Sequence, residues 1–511
     1  MGFPLAIEII TTFAPQIADE MLFNSLQFAI FLPIVFLLYW FVFDRFISKS
    51  KHQLMLQNVF IVVASYVFYG WWDWRFLILI AFTSFCSWGS GLLIAKAATR
   101  QRAKTLMWVN VVINLLILIV FKYYNFFVSE FARLFHWSTD GLLLKVILPI
   151  GVSFYTFQAL SYSIDVYRGK IEPTKDMVAF FAYIAFFPQL VAGPIERATH
   201  LLPQFLKRRE FNYDVAVDGT RQILWGLFKK VAVADNCGLF VDWVFSTYMD
   251  RGGSMLMLGA VLFAFQIYGD FSGYSDIAIG TSKLFGIRLM RNFNVPYFSR
   301  DIAEFWRRWH ISLNTWLRDY VYIPMGGSRV SKSRMILNTF VIFFVSSCWH
   351  GANWTFVAWG LFHTLLFLPL LLTGRNHKNE RIVAEGRMLP TVKEAGKMFL
   401  TFFLVTMGWI FFRSESIGMA FEYFQRMIQW GTLRASYRFF VSPDVFPESL
   451  YIIIMLVVEW VQRGKEHGLS IDATKQVLPS NVYVRAVIFA ALLFLVFLLG
   501  KGQSTFIYFQ F

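Results

Sequence analysis

Long runs of residues without Asp, Glu, Lys or Arg recur along most of this 511-residue chain. They cover residues 21–43, 54–72, 76–95, 105–121, 146–164, 177–195, 252–269, 335–374, 398–412 and 486–500. A helix needs about 20 apolar residues to cross a bilayer, and the run 335–374 is long enough for two. Because a strand edge exposed to lipid leaves backbone groups unsatisfied, helices must dominate. The pattern predicts an all-α polytopic membrane protein with roughly 11 transmembrane helices plus re-entrant or interfacial helices.

The composition favours one large membrane-embedded domain. Hydrophobic residues make up 57% of the chain and charged residues 15%, with a mean hydropathy of +0.53. Soluble proteins carry about 25% charged residues. No linker and no internal repeat is evident, which argues against an inverted-repeat transporter. We expect a single integral-membrane domain over residues 21–511 and an N-terminal extension at residues 1–20, because Met21 could itself be a natural start.

Basic residues indicate the expected orientation of the chain. The formal net charge is +15, and basic loops at 44–53, 96–104, 300–334 and 375–397 are typical of the cytoplasmic side. The N-terminus and the charge-balanced segment 413–448 are then expected outside. Basic loops suit an anionic lipid leaflet, so we expect the lipid bilayer, and no nucleic acid, as a partner.

One histidine falls inside an uncharged run. The run 335–374 lies between basic segments, which predicts a helical hairpin with His350–Asn353 near its far turn. From Met335 to His350 a helix rises by ~22 Å, which places the imidazole inside the bilayer or close to its outer half. An ionisable residue at that depth is a functional-site hypothesis, and the alternative is a packed histidine bonded between helices. His363, further along the hairpin, is expected only to link helices.

A second histidine lies in residues 301–320, which we interpret as one amphipathic helix at or below the cytoplasmic interface. Its aromatic residues gather on one side, and the charged residues on the other include Arg307, Arg308 and Arg318. His310 and Asn314, one turn apart, fall on the border between the two faces. The alternative reading of His310 is an interfacial histidine in an aromatic belt.

Other polar stretches also fall at the expected membrane depth. Residues 266–280 combine small residues with Asp270 and Asp276, so these acids must face a cavity or pair with arginines across a helix interface. Residues 189–197 predict a broken helix or a re-entrant segment, which is tolerated only when buried in protein. The turn 323–329 offers basic and backbone donors that suit a phosphate group. The three scattered cysteines suggest neither a disulfide framework nor a zinc site.

Together these motifs resemble the membrane-bound O-acyltransferase family, and within it a bacterial branch that acetylates exopolysaccharides such as alginate. The stretches that carry the resemblance are MLFNSLQFAIFLP from Met21, LVAGPIER at 190–197, DFSGYSDIAIG at 270–280, NFNVPYFSRDIAEFWRRWHISLNTWLRDYVYIPMGGSR at 292–329, WHGANWTF at 349–356 and FIYFQF at 506–511. The block 292–329 followed by Trp-His-Gly is highly specific.

The resemblance implies a fold, an activity and partners. The fold is a ring of helices around a central tunnel. The activity is transfer of an acyl group, usually acetyl, from a cytoplasmic donor, acetyl-CoA or another acyl thioester, to hydroxyls of an extracytoplasmic, alginate-like polysaccharide. In relatives that act on alginate, a periplasmic or membrane-anchored acyltransferase partner completes the transfer. The implied location is the bacterial cytoplasmic (inner) membrane, and no bound cofactor or metal is implied.

The resemblance also implies roles for individual residues. His350, in Trp-His-Gly, matches the family's catalytic histidine, and His310, in Trp-His-Ile-Ser-Leu, matches the second active-site residue of the bacterial branch. Neutral imidazole can take a proton from an attacking hydroxyl and return one to the leaving thiolate. His310 and Asn314 would orient the donor or stabilise the carbonyl oxygen, and a covalent acyl-histidine stays open. The further candidates for binding or orienting the donor are Arg307, Arg308, Arg318, Trp349 and Asn353.

Other functions stay open at this point. An enzyme of the same family could transfer an acyl group to peptidoglycan or a D-alanyl group to teichoic acid. A proton-coupled transporter or flippase would use the histidines and acids as a path for protons or substrate. A structural membrane scaffold would leave His350 unexplained.

Overall fold

The computed structural model describes residues 21–47, 50–144, 147–191, 193–429, 446–471, 481–499 and 507 of the chain. The expected N-terminal extension, residues 1–20, lies outside the described residues. The assignment of residues 21–511 to a single domain stays a prediction.

Every regular element in the described ranges is a helix, which confirms the all-α prediction. The helices are Leu26–Leu37, Asp44–Ile47, Gln53–Asp73, Arg75–Ala95, Arg100–Leu118, Tyr124–Phe135, Val152–Tyr167, Met177–Ala185, Phe187–Leu190, Ala198–Phe205, Tyr213–Leu227, Asn236–Ser246, Gly253–Leu284, Ile302–Arg308, Ile311–Leu317, Lys332–His350, Trp354–Leu372, Val392–Arg413, Ile417–Met427, Phe446–Val461 and Val482–Leu499. Wider π-helical turns at Leu38–Phe43, Ile119–Tyr123, Phe228–Asp235 and Arg318–Tyr322 continue some of these helices, and 3₁₀ turns lie at Tyr248–Asp250 and Pro296–Phe298.

Eight helices in the described ranges are long and apolar enough to cross a membrane. They are Leu26–Ile47, Gln53–Asp73, Arg75–Ala95, Arg100–Phe135, Gly253–Leu284, Trp354–Leu372, Val392–Arg413 and Val482–Leu499. These helices confirm a multi-pass membrane protein, whereas the predicted number of 11 is not confirmed. One reason is that the apolar run 177–195 does not form a single helix: Met177–Ala185 has 9 residues, and a second helix of 4 residues, Phe187–Leu190, follows it.

The described chain divides into two compact units. One comprises the residues up to Ala216 together with Thr281–Leu289, and the other comprises Val217–Gly280 together with Met290–Phe511. The first unit has an aromatic core in which Phe31, Phe68 and Phe187 pack with ring centroids 5.5–5.8 Å apart. It also contains the predicted broken helix: after Phe187–Leu190 the chain leaves the helical path and stays buried through Glu196 wherever it is described.

The second unit contains buried ion pairs on the long helix Gly253–Leu284. Lys230 Nζ lies 2.8 Å from Asp270 and 2.7 Å from Asp235, and Lys229 Nζ lies 2.6 Å from Asp276. The acids therefore pair across a helix interface as predicted, but their partners are lysines of the Phe228–Asp235 turn and not arginines. This difference is invisible in the periodicity, because only the packing of the two segments selects which cation meets each acid.

Candidate functional site

The predicted hairpin is confirmed and carries His350 at its turn. Ser331 caps the first helix, Lys332–His350, by accepting a hydrogen bond from the Arg334 backbone N–H. This helix has 19 residues, so it rises by about 28 Å, close to the thickness of the hydrocarbon core. Asn353 then caps the returning helix, Trp354–Leu372, by accepting from Thr355 N–H at 3.1 Å.

Gly351 allows the turn to close tightly after His350. A Cβ atom at this position would overlap the ring of Phe356. A larger residue would therefore push the start of the returning helix away from the histidine.

His350 sits in an aromatic chamber with 4% of its surface exposed. Its ring centroid lies 5.0 Å from that of Trp349, 5.2 Å from Trp359 and 5.3 Å from Phe412. We call these three aromatic residues, with His310 and His350, the histidine chamber. Aromatic walls of this kind exclude water and strengthen electrostatic interactions inside the site.

The single amphipathic helix predicted for residues 301–320 is wrong. The chain forms Ile302–Arg308 and Ile311–Leu317, with a break at Trp309 and His310. His310 adopts a left-handed backbone conformation, with φ +43° and ψ +53°. This region is uncommon for residues other than glycine, although histidine enters it more readily than most.

Hydrogen bonds from neighbouring segments stabilise the break. The Asn314 side chain donates to the carbonyls of Trp306 and Trp309 at 2.7 and 2.6 Å. The Ile311 N–H donates to the Asn292 carbonyl at 2.8 Å. The aromatic periodicity continues across the break, so the sequence pattern alone indicated an unbroken helix.

The break brings the two predicted histidines together. His310 is 1% exposed, and its ring centroid lies 6.4 Å from that of His350 and 5.4 Å from that of Trp349. Three of the predicted site residues, His310, His350 and Trp349, thus share one chamber. Asn314 supports this chamber through the backbone bonds described above.

A cavity of about 930 Å³ lies beside the chamber. Its lining includes Trp306, Arg307, Asn314, Arg318, Arg329, Phe343 and Ser346. The described lining residues include three arginines and no Asp or Glu, which makes the cavity suitable for an anionic molecule. Neither histidine lines it, but Ile311 and Ser346 do. Ser346 lies one helical turn before His350, so the cavity approaches the chamber from the basic segment.

Comparison with known proteins decides the family of the chain. The model of the membrane-bound O-acyltransferase family matches residues 173–404. A Pseudomonas aeruginosa protein described as a "probable alginate O-acetylase AlgI" is 38% identical over 422 residues, which cover 81% of this chain and 76% of that protein.

The chain belongs to the membrane-bound O-acyltransferase family.

Two further relatives support the same conclusion. A protein of Azotobacter vinelandii, also described as a "probable alginate O-acetylase AlgI", is 39% identical over 416 residues, 80% of this chain and 79% of that protein. A Helicobacter pylori peptidoglycan O-acetyltransferase is 31% identical over 435 residues, 80% of each chain. The protein is therefore a membrane-embedded acyltransferase.

The remaining candidate residues of this acyltransferase lie outside both the chamber and the cavity lining. Arg308 is buried, and its guanidinium donates to Glu304 at 2.8 Å within the same short helix. Asn353 caps the hairpin helix and donates to the Glu415 carbonyl at 3.0 Å. Both side chains thus have partners that hold the fold around the site.

His363 links helices as predicted, through ring packing and not through hydrogen bonds. The imidazole is fully buried, and neither ring nitrogen has a polar partner among the described residues. Its ring packs between Trp306 and Trp359, with centroids 5.0 and 5.1 Å away. Gly408 allows this packing, because a Cβ there would come within 2.7 Å of His363 Nε2.

Sequence reasoning missed several residues around the site. Trp359 and Phe412 form chamber walls, and Asn292 contacts His310 directly, with its Oδ1 3.1 Å from His310 Nδ1. The one available signal for Asn292 was its place at the start of the specific block 292–329. Among the described residues, no cluster of three or more His, Cys, Asp or Glu is arranged to bind a metal ion.

Proposed function

We propose that this membrane O-acyltransferase moves an acetyl group from a cytoplasmic thioester across the membrane toward hydroxyls of an extracytoplasmic polysaccharide of the alginate type. The observation that carries the proposal is the placement of two buried histidines, 6.4 Å apart, beside a cavity lined by arginines. The relatives named as alginate O-acetylases support the choice of acceptor.

The cavity supports an anionic donor such as acetyl-CoA. Arg307, Arg318 and Arg329 line it, and guanidinium groups bind phosphate oxygens with paired, charge-assisted hydrogen bonds. The Arg318 side chain is 56% exposed, so it can meet a donor that arrives from water. We propose that the donor phosphates bind these arginines and that the thioester enters toward Trp306 and Ser346.

His350 is the proposed general base. Its imidazole takes the proton as a hydroxyl oxygen, of the partner that relays the acyl group or of the polysaccharide itself, attacks the thioester carbonyl carbon and forms the new C–O bond. The tetrahedral intermediate then collapses, the C–S bond breaks, and the proton passes to the thiolate. In a covalent variant the imidazole nitrogen attacks the thioester carbonyl first, and the C–S bond breaks as the thiolate leaves. The hydroxyl oxygen then attacks the acyl-imidazole, and the C–N bond breaks.

The charge pattern supports the proposed direction of transfer. The arginines of the cavity belong to the basic segment 300–334, which is typical of the cytoplasmic side. His350 lies at the other end of a helix of 19 residues, about 28 Å from its start. We therefore propose a bacterial inner-membrane enzyme that takes its donor inside and delivers the acyl group outside, where a periplasmic or membrane-anchored acyltransferase partner completes the transfer.

The test expresses the full chain in an alginate-producing bacterium that lacks its own membrane acetylase. Acetyl content of the purified polysaccharide is measured by ¹H NMR. The wild type should restore acetylation, and His350→Ala should not, at equal amounts of protein in the membrane. His52→Ala is the matched control, because this exposed histidine lies outside the chamber. Normal acetylation in His350→Ala would refute the proposal.

Peptidoglycan is the second candidate acceptor, because one relative with 31% identity is named for that activity. Acetyl groups on the peptidoglycan of the same cells are measured in parallel. Acetylation of peptidoglycan without acetylation of alginate would show that peptidoglycan is the acceptor. The proposed chemistry at His350 would stay unchanged. Consumption of labelled acetyl-CoA without labelling of any polymer or protein would contradict acyl transfer.

A further inference from the structure

Asn292 makes a set of hydrogen bonds that defines the state of His310. It is fully buried, and its Oδ1 lies 3.1 Å from His310 Nδ1 and 2.8 Å from Ser312 Oγ. The same oxygen accepts from the Ser312 backbone N–H at 3.4 Å. Its Nδ2 donates to Ser275 Oγ at 3.0 Å.

These bonds determine which atom of Asn292 faces the imidazole. A backbone N–H can only donate, so the group that meets the Ser312 N–H must be the amide oxygen. That oxygen can only accept, and His310 Nδ1 must therefore carry a hydrogen. In a neutral imidazole the other nitrogen, Nε2, then holds a lone pair.

His310 Nε2 has no polar partner among the described residues. The ring is surrounded by Phe271, Trp349 and His350, with centroid separations of 4.6, 5.4 and 6.4 Å. His350 is the one titratable residue among these described ring neighbours. A buried acceptor without a partner costs stability, and so does the left-handed backbone at His310. Costs of this kind concentrate at sites that serve a ligand or a reaction.

We propose that Asn292 is a positioning residue that holds neutral His310 with its hydrogen on Nδ1, so that Nε2 presents a lone pair to the acyl-transfer site. This inference rests on the proposed function of the chamber and narrows the role of His310 within it. A lone pair cannot donate a hydrogen bond to a developing oxyanion. Neutral His310 therefore accepts a hydrogen bond, from the attacking hydroxyl or from the thiol that leaves.

The polar stretch 270–280 also supports Asn292. Ser275 of this stretch accepts from Asn292 Nδ2 and so ties the loop before Ile302–Arg308 to the helix Gly253–Leu284. Rotation of the Asn292 amide would turn its NH2 group toward the Ser312 backbone N–H, so that two donors would face each other. The tautomer of His310 is thus supported from two separate segments of the second unit.

The test is ¹⁵N NMR of the full chain, labelled at histidine and reconstituted in lipid bilayers. The signals of His310 are identified by their loss in His310→Gln. We expect a protonated Nδ1 and an unprotonated Nε2 at neutral pH. In Asn292→Leu the preference should be lost, and in Asn292→Asp the added negative charge should raise the protonation midpoint of His310 by about 1–3 pH units. Asn294→Leu is the matched control for Asn292→Leu, because Asn294 Oδ1 has no hydrogen-bond partner among the described residues, and it should leave the tautomer of His310 unchanged.

The spectra test the role of Asn292, and the acetylation assay tests the proposed function of His310, so failure of one can be told from failure of the other. A hydrogen on Nε2 in the wild type, or an unchanged tautomer in Asn292→Leu, overturns the role of Asn292 whatever the activity. Full polymer acetylation in His310→Gln refutes the proposed function of His310 and leaves the tautomer assignment intact. If both inferences hold, Asn292→Leu lowers acetylation by about 10-fold to 100-fold. This is less than most of the roughly 10²–10⁴-fold range for direct proton transfer, because Asn292 acts only through His310.

Discussion

Two groups of polar residues lie inside the second unit, and they differ in how they are partnered. The lysines of the turn Phe228–Asp235 meet aspartates at 2.6–2.8 Å, so their charges are paired. In the histidine chamber, His310 Nε2 has no polar partner among the described residues, whereas His310 Nδ1 lies 3.1 Å from Asn292 Oδ1. Both groups are buried, so burial by itself does not mark a reactive site.

The difference teaches which buried polar groups serve the fold and which serve the reaction. A paired buried charge is satisfied, and removing one partner leaves an uncompensated charge. An imidazole held on one side and left open on the other has hydrogen-bonding capacity for a substrate. Mutations in the first group should therefore affect stability, and those in the second should affect activity at unchanged stability.

The largest expected effect is on activity in the chamber. His350→Ala should lower polymer acetylation by at least about 100-fold, because the proposed proton transfer contributes 10²–10⁴-fold. Because removal of this buried ring leaves a cavity, thermal unfolding in detergent is measured in parallel. His350→Phe, which keeps an aromatic ring, should lose acetylation while unfolding close to the wild type. If folding were lost to the same extent as activity, the chamber could not be distinguished from the ion pairs as a group that serves the reaction.

The next effect is on stability in the ion pairs. Lys229→Met should destabilise the protein by about 1–3 kcal/mol, because Asp276, with 14% of its side chain exposed, then keeps only the Gln222 amide donor at 2.8 Å among these partners. The measurement is thermal unfolding together with the amount of protein in the membrane. The double variant Lys229→Met/Asp276→Asn removes both charges and should recover part of the loss. A single variant as stable as the wild type would show that this pair does not hold the fold.

A smaller effect is expected at the mouth of the cavity. Arg318→Ala should weaken acetyl-CoA binding by about 5-fold to 10-fold at low ionic strength, and less in high salt, because the side chain is largely exposed. The dissociation constant is measured by calorimetry on the reconstituted protein. Arg133→Ala is the control, since that side chain is 80% exposed in the first unit. Equal weakening in both variants would point to general charge attraction and not to a donor site.

The smallest effect tests a buried histidine that we assign to packing. His363→Phe should keep acetylation within about twofold and stability within about 1.5 kcal/mol, because the change conserves an aromatic ring of similar shape. His350→Phe, the same change in the chamber, should abolish acetylation. A strong loss of acetylation in His363→Phe at unchanged stability would extend the reactive group to a third histidine.

The extent to which the site could be predicted differs from residue to residue. The hairpin and the position of His350 at its turn follow from uncharged runs bounded by basic residues. The break at His310 does not, because aromatic residues keep their helical spacing through it and the left-handed turn depends on Asn292 and Asn314 from other positions. The lysine partners of Asp270 and Asp276 were missed for a similar reason: charge pairing between segments depends on their packing.

The sequence by itself determined the class of this protein. Apolar runs of bilayer length dictate helices, since lipid offers no partner for an open backbone, and the specific blocks around His310 and His350 indicate the acyltransferase family. Only the tertiary structure decided that the two histidines share one chamber and that Asn292 contacts His310 Nδ1. It also decided that Arg308 binds Glu304 while Arg307 and Arg318 line a cavity. These features depend on contacts between residues far apart in the chain, and local pattern carries no information about which distant side chain completes a hydrogen bond.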